Sequence, residues 1–227
     1  MATGAGADQL RQAAEYYLQV KAANPNVTVT FTGHSLGGGL AALMGVFFGK
    51  QAVTFDQAPF ANSAELSLIP PDVAANLRSY LVAQLDLNGN RKYSDQALQG
   101  LTDFLNVRAA LPLGEIPNAS LVTSINVQGE FLSGVPWNLP DRIGQSSFIP
   151  TNAPGVSGDD LHSVALLTAF LQSMQAAQSG KTLNDGQGDG VRSCIMHHHK
   201  GEVCWRSLSS KGNRSPTTFH QERQHSR

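Results

Sequence analysis

Charge is scarce in this sequence. Asp, Glu, Lys and Arg make up 15 % of its 227 residues, against roughly 25 % in an average soluble domain. Hydrophobic residues make up 41 %, which supplies a core and excludes wholesale disorder. No apolar run approaches the ~20 residues of a membrane helix, so no bilayer-spanning segment is expected. The opening MATGAGADQL lacks a basic stretch followed by an apolar one, so no secretory leader is expected in it. Cysteine is rarer still. Cys194 and Cys204 both lie beyond residue 191, where a disulfide would say little about the fold of the body. Charge and histidine are split the same way. Residues 1–191 carry 9 Lys/Arg and 15 Asp/Glu, whereas residues 192–227 carry 7 and 2. Five of the seven histidines sit in that last stretch.

What remains in the body alternates between strand and helix. Residues 8–22 place Leu10, Ala14, Tyr17, Leu18 and Lys21 at helical spacing before the stop Asn24-Pro25. Val27 to Thr32 is a β-branched, alternating run and predicts a strand. A long apolar helix follows from about Leu36 to Phe48, then a short strand at Ala52–Phe55. Residues 61–115 carry no strand signal. Pro70-Pro71 opens one helix there, and Ser94 caps another that ends near Ala110. Leu121–Val127 is a third strand and Ser147-Phe148-Ile149 a short fourth. Gly158-Asp159-Asp160 then leads into a last helix, from Leu161 to about Ala177, with Asp160 as its cap. Strands separated by helices predict an α/β fold, a mostly parallel sheet flanked by helices. The expected domain is residues 1–183, with a helical cap insertion at about 61–115 carrying Leu66, Leu68, Ile69, Leu77, Leu81 and Leu85. Plain packing on the sheet and a mobile lid are both open roles for it.

Residues 184–227 are rich in Gly, His and Arg and lack hydrophobic periodicity, which predicts a disordered tail. Cys-x9-Cys beside His197, His198 and His199 matches no recognised zinc spacing, so no native metal site is expected. Asn184–Gly190 is one copy of a glycine/aspartate run and cannot stack into a calcium coil; it reads as a polar linker. Asp86–Asn90 has oxygen ligands at alternate positions but no bidentate Glu at the twelfth, so it reads as a turn. Nucleic-acid binding is disfavoured, because the body is net negative and the basic tail lacks interleaved aromatics.

The informative segment is Gly33-His34-Ser35-Leu36-Gly37, a G-x-S-x-G run between a strand and a helix. That context is the one a nucleophile elbow requires. The glycines let a strand turn abruptly into a helix, which presents the serine Oγ above the strand end, beside the positive helix N-terminus. The N–H of Leu36 then points at the place where a tetrahedral intermediate would carry its oxyanion. A serine needs a base, and the body offers two histidines, His34 and His162. His34 adjoins Ser35 on the sharp turn, so its ring should point away from Oγ. His162, late in the chain, is the expected base. The acid should lie between them at a strand end. Glu130 after the third strand is the first candidate and Asp56 after the second is the alternative, with another group or water also open.

At these residues the sequence resembles a family. FTGHSLGGGLAALMGVFFG looks like the elbow of class 3 lipases and their bacterial lipase-like relatives, whose signature is similar to GHSLGGALA. AVTFDQAPF occupies the place of the family's strand ending in Gly-Ser-Pro. Glu130-Phe131-Leu132 through Pro136 resembles the Asp-x-Val-to-Pro segment bearing the family's acid, with Glu in place of Asp. The resemblance spans roughly residues 8–176. It implies an α/β-hydrolase fold and hydrolysis of acylglycerol-type esters without a cofactor or a metal, with transient contact to a lipid interface. One departure stands out. Only 34 residues precede Ser35, fewer than in these lipases, so the early strands and the second oxyanion donor have no candidate unless Thr3 and Gly4 serve. The expectation is a serine carboxylic-ester hydrolase lacking its N-terminal strands. A phospholipase or thioesterase with the same triad, and a weakly active or non-catalytic fragment of a longer hydrolase, are the competing readings.

Overall fold

The fold is that of a computed structural model, which describes residues 5–65, 72–133, 141–150, 155, 157–178, 192–199 and 202–208. Helix α1 (Ala5–Ala23) turns Leu10, Ala14, Tyr17 and Leu18 inward. Its Lys21 instead donates to the carbonyls of Pro25 and Val27 and closes the turn into strand β1 (Val29–His34). Along β1, Val29 and Phe31 are buried while Thr30 and Thr32 are half-buried, the two-residue alternation of a pleated strand. The Tyr17 ring sits between Phe31 and Phe48, with centroids 5.3 and 4.7 Å away.

Helix α2 (Ser35–Phe48) is buried from Gly37 to its end and forms the middle of the core. Leu40, Leu43, Met44 and Phe47 are hidden there, each side chain contributing about 1.5–3 kcal/mol of burial. The helix stops at Gly49, whose φ of 59° gives the left-handed cap that glycine adopts without strain. Strand β2 (Ala52–Phe55) returns beside β1. The expected insertion forms α3 (Ala61–Ala64), α4 (Val73–Ala83) and α5 (Gln99–Ala110). Helix α4 packs on α1 and α5, and α5 on α2, where Phe104 meets Phe47 edge-on at 4.9 Å. The described part of the insertion thus thickens the helical layer. Leu77 and Leu81 are buried in it, Leu85 is exposed, and Leu66, Leu68 and Ile69 lie outside the described residues. Pro70 and Pro71 do too; the cap of α4 is Asp72, which accepts from the Ala75 N–H. Buried Arg108 locks the layer, donating to the carbonyls of Ala64 and Glu65 and pairing with Asp72 at 2.6 Å.

Strands β3 (Val122–Val127) and β4 (Gln145–Ile149) complete a parallel array in the order β4-β3-β2-β1. This is the mostly parallel, helix-flanked α/β sheet that the alternation predicts. The final helix is not continuous. It divides into α6 (Gly158–Leu161) and α7 (Val164–Gln178), with His162 at the break. Leu161, Leu167 and Val127 form a second small core with Phe55 and Ile149.

The region expected to be unstructured needs correction in part. Residues Arg192–His199 and Glu202–Leu208 are strands β5 and β6; β5 runs parallel to the free edge of β1, and β6 antiparallel to β5. An uncovered edge of β1 presents a row of unpaired N–H and C=O groups, a template for any segment of adequate β propensity. Cys194-Ile195-Met196 and Val203-Cys204-Trp205 supply that propensity without the longer periodicity that marks a core strand.

Candidate functional site

All four parallel strands of the array end at one edge, where ligands collect in open α/β sheets. Ser35 follows β1, Asp56 follows β2, Glu130 lies just past β3, and His162 sits after β4 at the break between α6 and α7. Ser35 has a φ of 55°, a left-handed conformation that costs a non-glycine residue about 1–3 kcal/mol, at the sharp turn from β1 into α2. The turn is tight enough that a Cβ on Gly33 would lie 2.2 Å from the Gly37 carbonyl oxygen. On the next helical turn a Cβ on Gly39 would meet the Phe60 ring at 2.3 Å. The Ala58 N–H donates to the Ser35 carbonyl and ties the loop after β2 to the elbow.

The structure brings Ser35, His162 and Glu130 into one hydrogen-bonded chain. His162 Nε2 lies 2.8 Å from Ser35 Oγ, and His162 Nδ1 lies 2.8 Å from Glu130 Oε2. Glu130 is fully buried. Its Oε2 also accepts from the Leu132 N–H at 2.7 Å, and its Oε1 accepts from Ser133 Oγ at 2.6 Å and from Arg142 at 2.5 Å. Burial alone would raise the Glu130 pKa. The donors His162, Ser133, Leu132 N–H and Arg142 outweigh it and bring the carboxyl from an ordinary 4.5 down to about 2. The carboxyl is therefore held as an anion through the neutral range, with one oxygen held by Arg142 and the other on the imidazole.

Leu36, the expected oxyanion donor, opens α2 immediately after Ser35, so its N–H is one of those that a helix leaves without an internal partner. Thr3 and Gly4 lie outside the described residues. Asp56 is not joined to the His162 ring. Its Oδ1 accepts from the Val127 N–H at 2.7 Å, and its Oδ2 faces His34 Nε2 at 3.6 Å. It thus tethers the end of β2 to the end of β3, in its own strained turn with a φ of 41°. His34 makes no hydrogen bond to Ser35, but its ring lies 4.9 Å from that of His162.

One expectation about caps changes. Asp160 is not the cap of α6; Ser157 is, accepting from the Asp160 N–H while its hydroxyl donates to Asp160 Oδ2. Asp160 is instead the acidic member of a Ser-x-x-Asp box, where its charge favours the helix N-terminus. Asp86 forms the expected turn, its Oδ1 accepting from the N–H groups of Asn88 and Asn90. Sequence reasoning missed Arg142 and Ser133 as partners of Glu130. Arg142 comes from the loop before β4, where it also donates to the Gln57 carbonyl, and nothing in Asp141-Arg142-Ile143 announces the long-range contact.

Residues 3–77, which include the elbow, match the family model for a phospholipase-like, Tle-like phospholipase domain. Two curated proteins of Cryptococcus neoformans var. neoformans serotype D, both named "Putative lipase ATG15", from strains B-3501A and JEC21, are each 44 % identical over 55 residues. That is 23 % of this chain and 11 % and 10 % of theirs, so the chain spans about a tenth of the length of these relatives. A carboxylesterase structure from the ammonia-oxidizing thaumarchaeon Nitrososphaera gargenis aligns over 76 % of the chain and 74 % of its own. Its TM-score of 0.29 and identity of 10 % are too low to bear on fold or function. Among the described residues, no helix is long and apolar enough to cross a membrane. The likeness is to lipases and phospholipases in general rather than to the class 3 bacterial branch in particular.

Proposed function

We propose that the chain is a serine carboxylic-ester hydrolase with Ser35 as nucleophile, His162 as general base and acid, and Glu130 as the acid of the triad. The observation that carries this reading is the continuous chain of 2.8 Å contacts from Ser35 through His162 to Glu130. Ser35 Oγ attacks the acyl carbonyl while His162 Nε2 takes its proton. Glu130 fixes the tautomer with Nδ1 protonated and stabilises the imidazolium. The Leu36 N–H stabilises the oxyanion. The intermediate collapses to an acyl-Ser35 ester as His162 returns the proton to the leaving alcohol. Water, deprotonated by the same imidazole, then releases the acid and restores Ser35. No step draws on a cofactor.

Every residue of this mechanism lies in residues 1–183, which we take as the catalytic domain, with 184–227 an appendage. The resemblance at the elbow and at Glu130 supports a class 3-type lipase acting on acylglycerol-type esters. Phe131 and Val164, next to Glu130 and close behind His162, expose about half their surface and would offer apolar contact to an acyl chain or a lipid interface. A second reading, phospholipid as the ester, is favoured by the phospholipase-like model over residues 3–77. The test is fluorophosphonate labelling and p-nitrophenyl ester hydrolysis by the full chain beside Ser35→Ala. Labelling and turnover that vanish in the variant are expected; unchanged turnover in Ser35→Ala would refute the nucleophile. A panel of triacylglycerols and phospholipids then separates the two substrate classes.

A further inference from the structure

Beside the triad, two buried polar atoms have no hydrogen-bond partner: His34 Nε2 and Asp56 Oδ2. They face each other at 3.6 Å, beyond a hydrogen bond, and the Asp56 side chain is wholly buried. An orphaned buried carboxylate oxygen costs about 1–3 kcal/mol or more, so the arrangement wants a third party. A ligating nitrogen of His162 completes the group, and the three donor atoms lie within 4.8 Å of one another.

We propose that His34, Asp56 and His162 form a reversible, inhibitory binding site for a first-row divalent ion, of which zinc is the best fit. The inference rests on the proposed role of His162 as the catalytic base. The donor set is two imidazoles and one carboxylate, which suits zinc and neither magnesium nor calcium, ions that need more oxygens. Bond lengths of about 2.0–2.1 Å at tetrahedral angles put neighbouring ligand atoms about 3.3 Å apart. The His34–Asp56 pair at 3.6 Å is already near that spacing, and the widest edge has to contract by about 1.5 Å, a movement of side chains. His162 Nδ1 is committed to Glu130, which leaves Nε2 to ligate. A histidine ligand whose other nitrogen donates to a buried carboxylate is the usual outer-shell arrangement in zinc sites. The same Nε2 is the atom that serves Ser35. Bound zinc therefore takes the base away from the nucleophile, and a chelator returns it.

The test uses the full chain with Cys194→Ser, Cys204→Ser and His197, His198, His199, His220 and His225 changed to Ala, so that the thiols and imidazoles beyond residue 191 do not bind the probe. In that background zinc should inhibit ester hydrolysis reversibly, with EDTA restoring it and magnesium having no effect. His34→Gln and Asp56→Asn should each raise the zinc concentration for half-inhibition at least tenfold, the scale on which losses in metal sites are felt. Cobalt added to the same background carrying Ser35→Ala should develop the intense visible bands of a low-coordinate ion. Those bands should weaken when Asp56→Asn is added. The cobalt arm reads the site without catalysis. Cobalt bands that depend on Asp56, where the background with Ser35 intact hydrolyses no ester, would sink the hydrolase reading alone. Hydrolysis that zinc leaves untouched, or inhibits equally in both variants, would overturn the metal site and leave the triad standing.

Discussion

Replacing Glu130 by Gln is the most searching perturbation of this site, because the two oxygens face donors of different kinds. Oε2 receives His162 Nδ1 and the Leu132 N–H; Oε1 receives Ser133 Oγ and Arg142. The amide of Gln must turn its NH2 toward one pair or the other. Turned toward His162, it opposes the Leu132 N–H and forces Nδ1 to accept, which places the imidazole proton on Nε2, where it points at Ser35 and disables the base. Turned toward Arg142, it sets two donors face to face and leaves a largely buried guanidinium without its anion. Both orientations also remove the charge that stabilises the imidazolium. Neutralising a triad carboxylate lowers turnover by about 10⁴ in the best-known case, so a loss of ~10³–10⁴ is expected here. That is about 4–5.5 kcal/mol of transition-state stabilisation. KM should change little, since Glu130 is buried and touches no substrate. The assay is steady-state hydrolysis of a short p-nitrophenyl ester by Glu130→Gln, Glu130→Asp and Asp56→Asn, with circular dichroism confirming the fold. Asp56→Asn keeps an acceptor for the Val127 N–H and should lose less than tenfold. Turnover of Glu130→Gln within tenfold of wild type, or a deeper loss in Asp56→Asn, would refute the assignment of the acid.

The same carboxylate sets an acid limit on stability. Because its pKa is about 2 in the fold and 4.5 ordinarily, its contribution is complete above pH 4.5 and drains away as pH falls toward 2. About 3 kcal/mol is at stake; urea denaturation across that window should show the decline, and Glu130→Gln should flatten it. Arg142→Ala removes one of the donors that lower this pKa and should move the decline to higher pH, with a partial loss of turnover that Arg142→Lys partly restores. Gly33→Ala drives a methyl into the Gly37 carbonyl and should cost about 3 kcal/mol or prevent folding, whereas Ser35→Ala should melt near the wild-type temperature. Arg108→Met, which touches none of the three proposed catalytic side chains by hydrogen bond, should cost about 3 kcal/mol by stranding Asp72 and the carbonyls of Ala64 and Glu65, with turnover per folded molecule unchanged.

What the sequence disclosed divides along a physical line. The strands, the central helix and the elbow were legible because their signals are local: alternation in Val29–Phe31, an unbroken apolar run in α2, glycines where backbone must meet backbone. Ser35 followed from that local context, and His162 from elimination, since a body with two histidines leaves little choice. Glu130 and Asp56 both follow strands, and only the resemblance of Glu130-Phe131-Leu132 to the acid-bearing segment of lipases sets their order of preference. The reason the fold joins Glu130 to His162 is not in that resemblance, because it lies in Arg142, Ser133 and the Leu132 N–H, which gather only when β3 and β4 pair. The break in the last helix is similar. Hydrophobic periodicity carries straight through residues 161–177, yet the chain stops at Leu161 and restarts at Val164. Were the helix continuous, His162 would be one more residue on its surface. Interrupted there, with a φ of −81° and a ψ of 1°, it can project its ring between a serine and a glutamate that come from two other strand ends. Asp56 shows the converse. As a lone acid after a strand it fits the triad pattern as well as Glu130 does, and only the pairing of β2 with β3 reveals that its nearer oxygen is spent on the Val127 N–H. The oxygen left over faces His34, a residue that the elbow pattern treats as filler. Its imidazole, set beside the His162 ring by the same sharp turn that exposes Ser35, turns a spare carboxylate into two-thirds of a cation site.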